Sequence, residues 1–376
     1  MRFLYVAPRY HTNQIPIMKG LIENGHEVRF FGHYAGRIED YAYVKPEIIG
    51  YSFLYRIYDF LYVKILHAKD KGAADKKLLR GFPPVLRLDR RMRAYRPDLV
   101  VIRERSVYSM VTYLLCRLHG YRAVLYNQSP VYEEIRDDLA HRLVRRLTPK
   151  ARMTPVMGSP GKGKEKAPGT FFVPFVMDLQ RAPQDRTYVR DGVVHIFTVG
   201  KYEKRKNLLM MVETVGELAG KYPVHLTIAG ECSTQFHRDY CRSVEACVLE
   251  HRLAGKVTLL QNLSREEMSR EYEKADLFVL PSTLEPASIS QLEAMAFSVP
   301  VICSDTNGSA CYVKEGRNGF LFKDNDRKDL KEKLEKVLQS PLDLRELGRN
   351  AYEDVKEKYQ FDNYLKGIME CAQWKA

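Results

Sequence analysis

The 376-residue sequence has no uninterrupted apolar run of the ~18–20 residues that cross a bilayer, and its opening, MRFLYVAPRYHTNQ, offers only a very short apolar stretch with no small-residue cleavage site. A membrane span and a secretory leader are therefore both unexpected, and a cytoplasmic location is expected. The seven cysteines are odd in number, scattered, and free of any CxxC pair. That spacing argues against a disulfide framework or a structural zinc site and for reduced thiols. HExxH, GxSxG and paired-histidine patterns are also missing, so neither a zinc hydrolase nor a nucleophile-elbow hydrolase is indicated.

What is present is ordinary globular composition, 45% hydrophobic and 28% charged, in a length that suits two domains of roughly 150–200 residues. The net charge of +13 is unevenly spread: residues 1–190 carry 34 Lys and Arg against 18 Asp and Glu, and residues 191–376 carry 26 against 29. A basic first half joined to a near-neutral second half suggests an anionic partner for the first, such as a membrane surface, nucleic acid or an acidic substrate. The plainer alternative is a solubilising surface. No RNA- or DNA-binding motif accompanies the charge, so nucleic acid is not expected.

Short apolar runs alternate with helical stripes along the whole chain. Residues 3–6 read as a buried strand, Ile17, Leu21 and Ile22 as a helical stripe closed by Gly25, and Val28, Phe30 and Phe31 as the next strand. Strands are also expected at 99–102, 123–126 and 153–156, and in the second half at 193–199, 224–229, 257–260, 277–280, 301–303 and 319–322. Helices are expected at 208–219 and from the following loop to about Leu253, and Ser264 with Glu267 forms a capping box. This alternation predicts an α/β protein with parallel sheets. Residues 179–190 are polar and aperiodic, which places the boundary near 175–190, with domains at 1–180 and 190–358.

Two phosphate- or metal-like patterns are decoys. Gly158 to Glu165 nearly spells a GxxxxGK[ST] loop, but Glu165 replaces the hydroxyl, and the following Lys166-Ala167-Pro168-Gly169 cannot open a helix. Asp324-Asn325-Asp326 is a DxD, yet it lies between a strand and a charged helix, where a capping turn is the simpler reading.

Two segments of the second half carry more. Gly200 to Asn207, GKYEKRKN, follows a strand and precedes a helix, so Lys201 and Lys206 could meet a diphosphate there, unless the run is only a solvated basic turn. Glu285 and Glu293 stand eight residues apart on either side of a helix start expected near Ala287 or Ser288. Each carboxylate could accept hydrogen bonds from sugar hydroxyls, or serve as an ordinary helix glutamate.

Read together, the E-x7-E pair after "LPS", the "LEAMA…VPVI" that follows it, "GKYEKRKN", "LTIAGEC", "VTLLQNLSREEMSREYEKADLFVLPS" and "NGSACYVKEGRNGFLF" resemble the retaining nucleotide-sugar glycosyltransferases of family 4. "RFLYVAP…LIENGHEVRFF" and "FFVPFVMD" extend the resemblance over nearly the whole chain. The resemblance implies a GT-B fold, two Rossmann-like domains facing each other across a cleft, with a final helix at about 360–376 packing back on the first domain. It implies transfer of a hexosyl group from a UDP- or GDP-sugar to a glycan or lipid-linked acceptor, in bacterial cell-surface polysaccharide synthesis, without metal or other cofactor. It assigns Glu293 to the nucleotide ribose, Glu285 to hydroxyls of the donor sugar, and Lys201 and Lys206 to the departing diphosphate. The N–H groups of Ser288, Ile289 and Ser290 would touch phosphate or sugar, Leu263 would lie near the base, and Gly230 joins the donor-binding positions.

The chain departs from the family pattern at three places. Lys201 stands where Arg is usual; the first loop reads Pro8-Arg9-Tyr10-His11-Thr12-Asn13-Gln14 instead of a glycine pair; and no histidine follows the strand 123–126, where Asn127 and Gln128 stand. Gln128, Asn127 and His11 are the acceptor-side candidates, and Gln128 could hydrogen-bond sugar but could not act as a base. A retaining front-face attack, with the leaving phosphate taking the proton, does not require one. Two other readings remain: a non-catalytic nucleotide-sugar-binding subunit, and a nucleotide-sugar epimerase or phosphorylase on the same fold. Residues 51–100 hold 12 Lys and Arg against 5 acids, beside an aromatic stretch at 52–62. That stretch reads either as a helix lying on anionic lipid or as a core helix with a charged outer face.

Overall fold

The computed structural model describes residues 1–36, 41–65, 79–135, 138–158 and 163–374. The chain divides into two compact units, one of Met1–Val176 together with Phe361–Ala376, the other of Met177–Gln360.

In the first unit the elements run β1 (Arg2–Ala7), α1 (Ile15–Glu23), β2 (Glu27–Gly32), β3 (Glu47–Ile48), α2 (Phe53–Ile65), α3 (Val85–Tyr95), β4 (Leu99–Arg103), α4 (Val107–His119), β5 (Arg122–Tyr126), β6 (Tyr132–Glu133), α5 (Leu139–Arg146), β7 (Arg152–Thr154), β8 (Glu165–Lys166) and β9 (Thr170–Phe172). Seven strands form one parallel sheet in the order β3-β2-β1-β4-β5-β7-β9. A parallel sheet is covered on both faces, which is why β1 and β4 are continuous apolar runs rather than alternating ones. Successive residues then serve different cores. Phe3, Tyr5, Leu99 and Val101 pack on one face with Met18 and Leu21 of α1. Leu4, Val6, Val100 and Ile102 pack on the other with Leu88 and Met92 of α3.

The near phosphate-loop segment does not open a helix. β8 pairs antiparallel with β6, and Ser159 to Lys162 lie outside the described residues.

The second unit continues with β10 (Val194–Val199), α6 (Leu208–Leu218), β11 (Val224–Gly230), α7 (Gln235–Glu250), β12 (Val257–Gln261), α8 (Arg265–Lys274), β13 (Leu277–Leu280), α9 (Ser290–Ala296), β14 (Val301–Ser304), β15 (Gly319–Phe322), α10 (Arg327–Gln339) and α11 (Asp343–Lys358). Its six parallel strands are ordered β12-β11-β10-β13-β14-β15. The order reverses between β10 and β13, and such a switch point leaves a crevice beyond the carboxyl ends of those two strands. The capping box on α8 is formed: Ser264 N–H donates to Glu267 Oε2 at 2.7 Å and Glu267 N–H to Ser264 Oγ at 3.3 Å. Helix α7 stops at Glu250, short of Leu253, and Arg252 takes a left-handed φ of 54°.

The last helix, α12 (Phe361–Gln373), belongs to the first unit. Tyr364, Ile368 and Cys371, spaced four and three apart, enter the core beside β1. The Tyr364 and Tyr5 hydroxyls hydrogen-bond at 2.9 Å. Phe361 lies so close over α1 that a Cβ on Gly20 would meet its ring at 2.2 Å. All seven cysteines are free thiols, six of them buried. No helix among the described residues is long and apolar enough to cross a membrane.

Candidate functional site

The loop after β10 is built around a buried ring. Tyr202 is fully buried, and its hydroxyl donates to the carbonyls of Leu260 at 3.1 Å and Ile228 at 3.3 Å. This pins residues 200–207 against the ends of β11 and β12. Gly230 is required by the same contact: a Cβ there would stand 2.2 Å from the Gly200 carbonyl oxygen and 2.8 Å from the Tyr202 ring. The loop closes in a short 3-10 turn, Lys204–Lys206, followed by Asn207 at φ 50°. That turn aims Arg205 and Lys206 across the switch point toward the loop after β13.

There the two cations meet Glu285. Lys206 Nζ donates to Glu285 Oε2 at 2.5 Å, and Arg205 Nη1 donates to the same oxygen at 2.7 Å. Thr283 N–H donates to the Arg205 carbonyl at 2.9 Å, so the two loops are tied through backbone as well. The Glu285 and Lys206 side chains are each 11% exposed. Burial by itself would push the Glu285 carboxyl up, but the charges and hydrogen bonds of Lys206 and Arg205 outweigh it and hold the group below the usual carboxylate range.

Residues 281–289 stay non-helical, and α9 opens at Ser290 rather than at Ala287 or Ser288. The carbonyls of Glu285 and Ser288 accept instead from Gly308 N–H at 2.8 Å and Ser309 Oγ at 2.7 Å, which tie this loop to residues 308–309. The N–H groups of Ser288 and Ile289 donate to no partner among the described residues. Further along α9, Glu293 Oε2 accepts from the Tyr272 hydroxyl at 2.8 Å. Burial raises the Glu293 pKa, and the Tyr272 hydrogen bond and the Arg265 charge offset only part of that rise. The switch point therefore holds two carboxyl groups shifted in opposite directions, one paired with cations and one buried beside a phenol.

The other sequence-derived residues fall as follows. Lys201 turns away from Glu285 and pairs with Glu231 at 3.1 Å, both side chains about half exposed. Ser288 and Ser290 hydrogen-bond each other at 2.7 Å, and Ile289 caps α9 without a side-chain bond. Leu263 is half-buried just after β12, next to Asn262, whose Oδ1 accepts the Cys232 N–H at 2.8 Å.

In the first unit, His11 follows β1 and accepts from Arg9 Nε at 3.3 Å. Burial and the Arg103 and Arg9 charges push its pKa down to about 3, so it is a neutral ring. Asn127 is buried and its Oδ1 accepts from Arg152 Nη1 at 3.2 Å; Gln128 is half-buried beside Tyr126. Of the DxD, Asp326 caps α10 by accepting the Asp329 N–H, and Asp324 accepts the Thr283 hydroxyl at 2.6 Å. Among the described residues no group of three or more His, Cys, Asp and Glu side chains is set to hold a metal ion.

Two residues of the site were not singled out in the sequence. Arg205 sits inside the "KRK" run, where its neighbour drew the attention. Tyr272 lies in "REYEKAD", and only the packing of α8 against β10 and α9 shows that it reaches Glu293.

Residues 185–354, almost all of the second unit, match the family model Glycosyl transferases group 1. A protein of Methanocaldococcus jannaschii described as an uncharacterized glycosyltransferase, MJ1607, is 30% identical over 179 residues, which are 47% of this chain and 44% of that protein. The capsular polysaccharide biosynthesis glycosyltransferase CapM of Staphylococcus aureus is 24% identical over 226 residues, 60% of this chain and 56% of that one. The chain thus matches about half the length of these relatives. Anabaena Alr3699/HepE, solved in complex with UDP-glucose, superposes with a TM-score of 0.69 over 100% of both chains at 12% identity. That likeness shows the fold, two parallel α/β sheets as in GT-B glycosyltransferase structures. The family match thus rests on the second unit, and the likeness to solved structures extends the GT-B fold to both units.

Proposed function

We propose that this chain is a retaining family 4 hexosyltransferase that moves a hexosyl group from a UDP- or GDP-sugar to a glycan or lipid-linked acceptor. The observation that carries the reading is the pair of cations, Lys206 and Arg205, gathered on Glu285 at the switch point of the matched domain. The capsular polysaccharide relative and the UDP-glucose complex of a structural neighbour support the substrate class, and bacterial cell-surface polysaccharide synthesis is the proposed setting. The location proposed is the cytoplasm. The second unit, about 190–358, is assigned the donor, and the first, about 1–180 with the helix at 360–376, the acceptor.

In the proposed reaction the bond between the sugar C1 and the diphosphate oxygen breaks, and its electron pair stays on that oxygen. The acceptor hydroxyl oxygen bonds to C1 from the same face, and its proton passes to the departing phosphate. The barrier lies in the charge that develops on the leaving group. Fixed cations aimed at that charge lower it without reorganising. Lys201, Arg205 and Lys206 are the groups assigned to this, and their three charges do the work for which other glycosyl transfers recruit a divalent ion. Binding of the diphosphate draws Lys206 and Arg205 away from Glu285, whose freed oxygens then accept from the donor sugar hydroxyls. Glu293 accepts from the ribose hydroxyls, Leu263 borders the base, and the N–H groups of Ser288, Ile289 and Ser290 meet phosphate or sugar. Gly230 serves by letting the 200–207 loop sit low. His11 and Gln128 remain acceptor-side candidates; Asn127 acts through its bond to Arg152, which fixes the turn after β5.

Thermal shift with UDP, GDP, ADP and their sugars tests this, with Glu293→Ala alongside. A ligand at about 100 times its Kd adds about 2.7 kcal/mol, enough to move the melting point by several degrees. One nucleotide that stabilises the wild type and not the variant bears the reading out; no shift with any of them refutes it. With the donor known, NMR of the product anomer distinguishes retention from inversion.

A further inference from the structure

Helix α2 reverses the usual arrangement of a surface helix. At 100° per residue, Phe53, Leu54, Ile57, Tyr58 and Leu61 fall within an arc of about 140°, and this is the arc that faces outward. Phe53 is 73% exposed, Leu54 78%, and Ile57, Tyr58 and Leu61 each more than 40%. Among its described side chains the half-buried ones are Tyr55, Asp59 and Tyr62. A ladder of rings ties that side to the edge of the outward arc: Tyr51, Tyr55, the exposed Tyr58 and Tyr62 follow one another at centroid distances of 5.3, 6.0 and 5.9 Å. Tyr51 in turn meets the buried Tyr108 edge-on. The expectation of a core helix with a charged outer face is thus overturned. An amphipathic surface helix ordinarily buries its apolar stripe, and here the stripe is what remains outside.

The patch extends beyond the helix. Ser52 N–H donates to the Phe82 carbonyl at 2.8 Å, which brings the start of α3 beside the start of α2. Phe82 is 40% exposed and Leu86 is 86% exposed there. The border of the patch is basic: Arg56, Arg80, Arg87 and Arg90 are all exposed.

Three occupants can be weighed. The stretch 66–78 carries four lysines, two aspartates and no Phe, Tyr, Trp, Ile or Val, so its composition makes it a poor cover for an apolar face. A second copy of the chain would set this arginine border against its own image, like charge against like. An anionic lipid surface matches both halves of the pattern, since apolar side chains enter the headgroup boundary while arginines meet lipid phosphates. We infer that α2 and the start of α3 dock this protein on an anionic phospholipid surface. This does not depend on the donor assignment, because no residue of the second unit takes part.

The test is flotation of the full chain with phosphatidylcholine vesicles, with and without about one third phosphatidylglycerol. The variants are Leu54→Glu with Ile57→Glu, Arg56→Glu with Arg90→Glu, and, as a control, Leu249→Glu on the exposed face of α7. The wild type is expected to float with the anionic vesicles only. Binding should weaken as salt rises from about 0.1 M to about 1 M and the screening length shrinks from about 10 Å to about 3 Å. Either double variant should lower the partition coefficient roughly tenfold or more, with Leu249→Glu unchanged and all melting points preserved. Failure of the wild type to float, equal binding to neutral vesicles, or flotation indifferent to Leu54→Glu with Ile57→Glu would each overturn the inference. So would light scattering that shows a dimer broken by the same variant.

Discussion

Glu285→Gln should do two things that seldom go together: loosen the empty protein and tighten its grip on a nucleoside diphosphate. In the empty site one carboxylate oxygen accepts from both Lys206 and Arg205, at 2.5 and 2.7 Å. Removing the charge strands two cations. A fully buried pair broken in this way costs about 3–5 kcal/mol, but Arg205 is 37% exposed and solvent screens it, so about 1–2 kcal/mol is the expected loss. In a unit of this size that lowers the melting point by roughly 2–8 °C. The loss depends on pH in a defined direction. The folded state holds this carboxyl below its ordinary value. Its contribution is therefore complete above the unfolded carboxylate pKa of about 4.3 and disappears as pH falls through the folded one. The gap between wild type and variant should be full at pH 7 and close in acid. For the nucleotide the sign reverses, because a diphosphate must compete with Glu285 for the same two cations. Relieving that competition is worth about 1–2 kcal/mol, or roughly 5–30-fold in Kd. Transfer should nonetheless fall roughly 10–100-fold, the cost of one charged hydrogen bond to the donor sugar. Calorimetry with the nucleotide found by thermal shift, beside a series of melting curves from pH 7 down to well below the ordinary carboxylate range, reads both effects. An unchanged melting point together with an unchanged or weaker Kd would refute the counter-ion role of Glu285.

Two further outcomes are expected. Burial raises the Glu293 pKa against the opposing Tyr272 hydrogen bond, and only the ionised form accepts from a diol with both oxygens. Nucleotide affinity should thus begin to decline at a higher pH than an ordinary carboxylate would dictate, and Glu293→Gln should remove that slope; equal slopes in titrations of the two proteins would contradict it. Gly230→Ala would force a Cβ to within 2.2 Å of the Gly200 carbonyl oxygen, so about 1–3 kcal/mol of stability should be lost to backbone displacement. That loss would be read as a lower urea midpoint at constant m, and an unchanged midpoint would show that the 200–207 loop yields freely.

The parts of the molecule that could be read from sequence are those decided by local pattern. Residues 3–6 and 99–102 announce buried parallel strands because a strand covered on both faces must be apolar throughout, and Ser264 with Glu267 announces a helix start because the capping box is complete within four residues. What could not be read is direction. The aromatic stretch at 52–62 was recognisable as a helix with an apolar arc, but which arc faces the core is decided by Tyr51 and Tyr108, the latter far away in sequence. Asn127 was singled out for its place after β5, yet its carboxamide oxygen is committed to Arg152, 25 residues on. The resemblance places Lys206 and Glu285, 79 residues apart, in one donor site but with separate roles, and their ion pair, like the part of Arg205, shows only in the fold. A 3-10 turn closed by a left-handed Asn207 decides which of three consecutive basic residues reach the switch point. The same logic explains why Lys201 and Lys206 differ in the resting protein despite the common role proposed for them. Tyr202, locked between β11 and β12, leaves Lys201 on the outer side of the loop with Glu231 as an exposed partner. Lys206, in that turn, is carried inward to a carboxylate that is itself largely enclosed. Topology assembles the candidates at the strand ends, and the resting hydrogen bonds of each side chain decide which of them must break a bond before a ligand can be held.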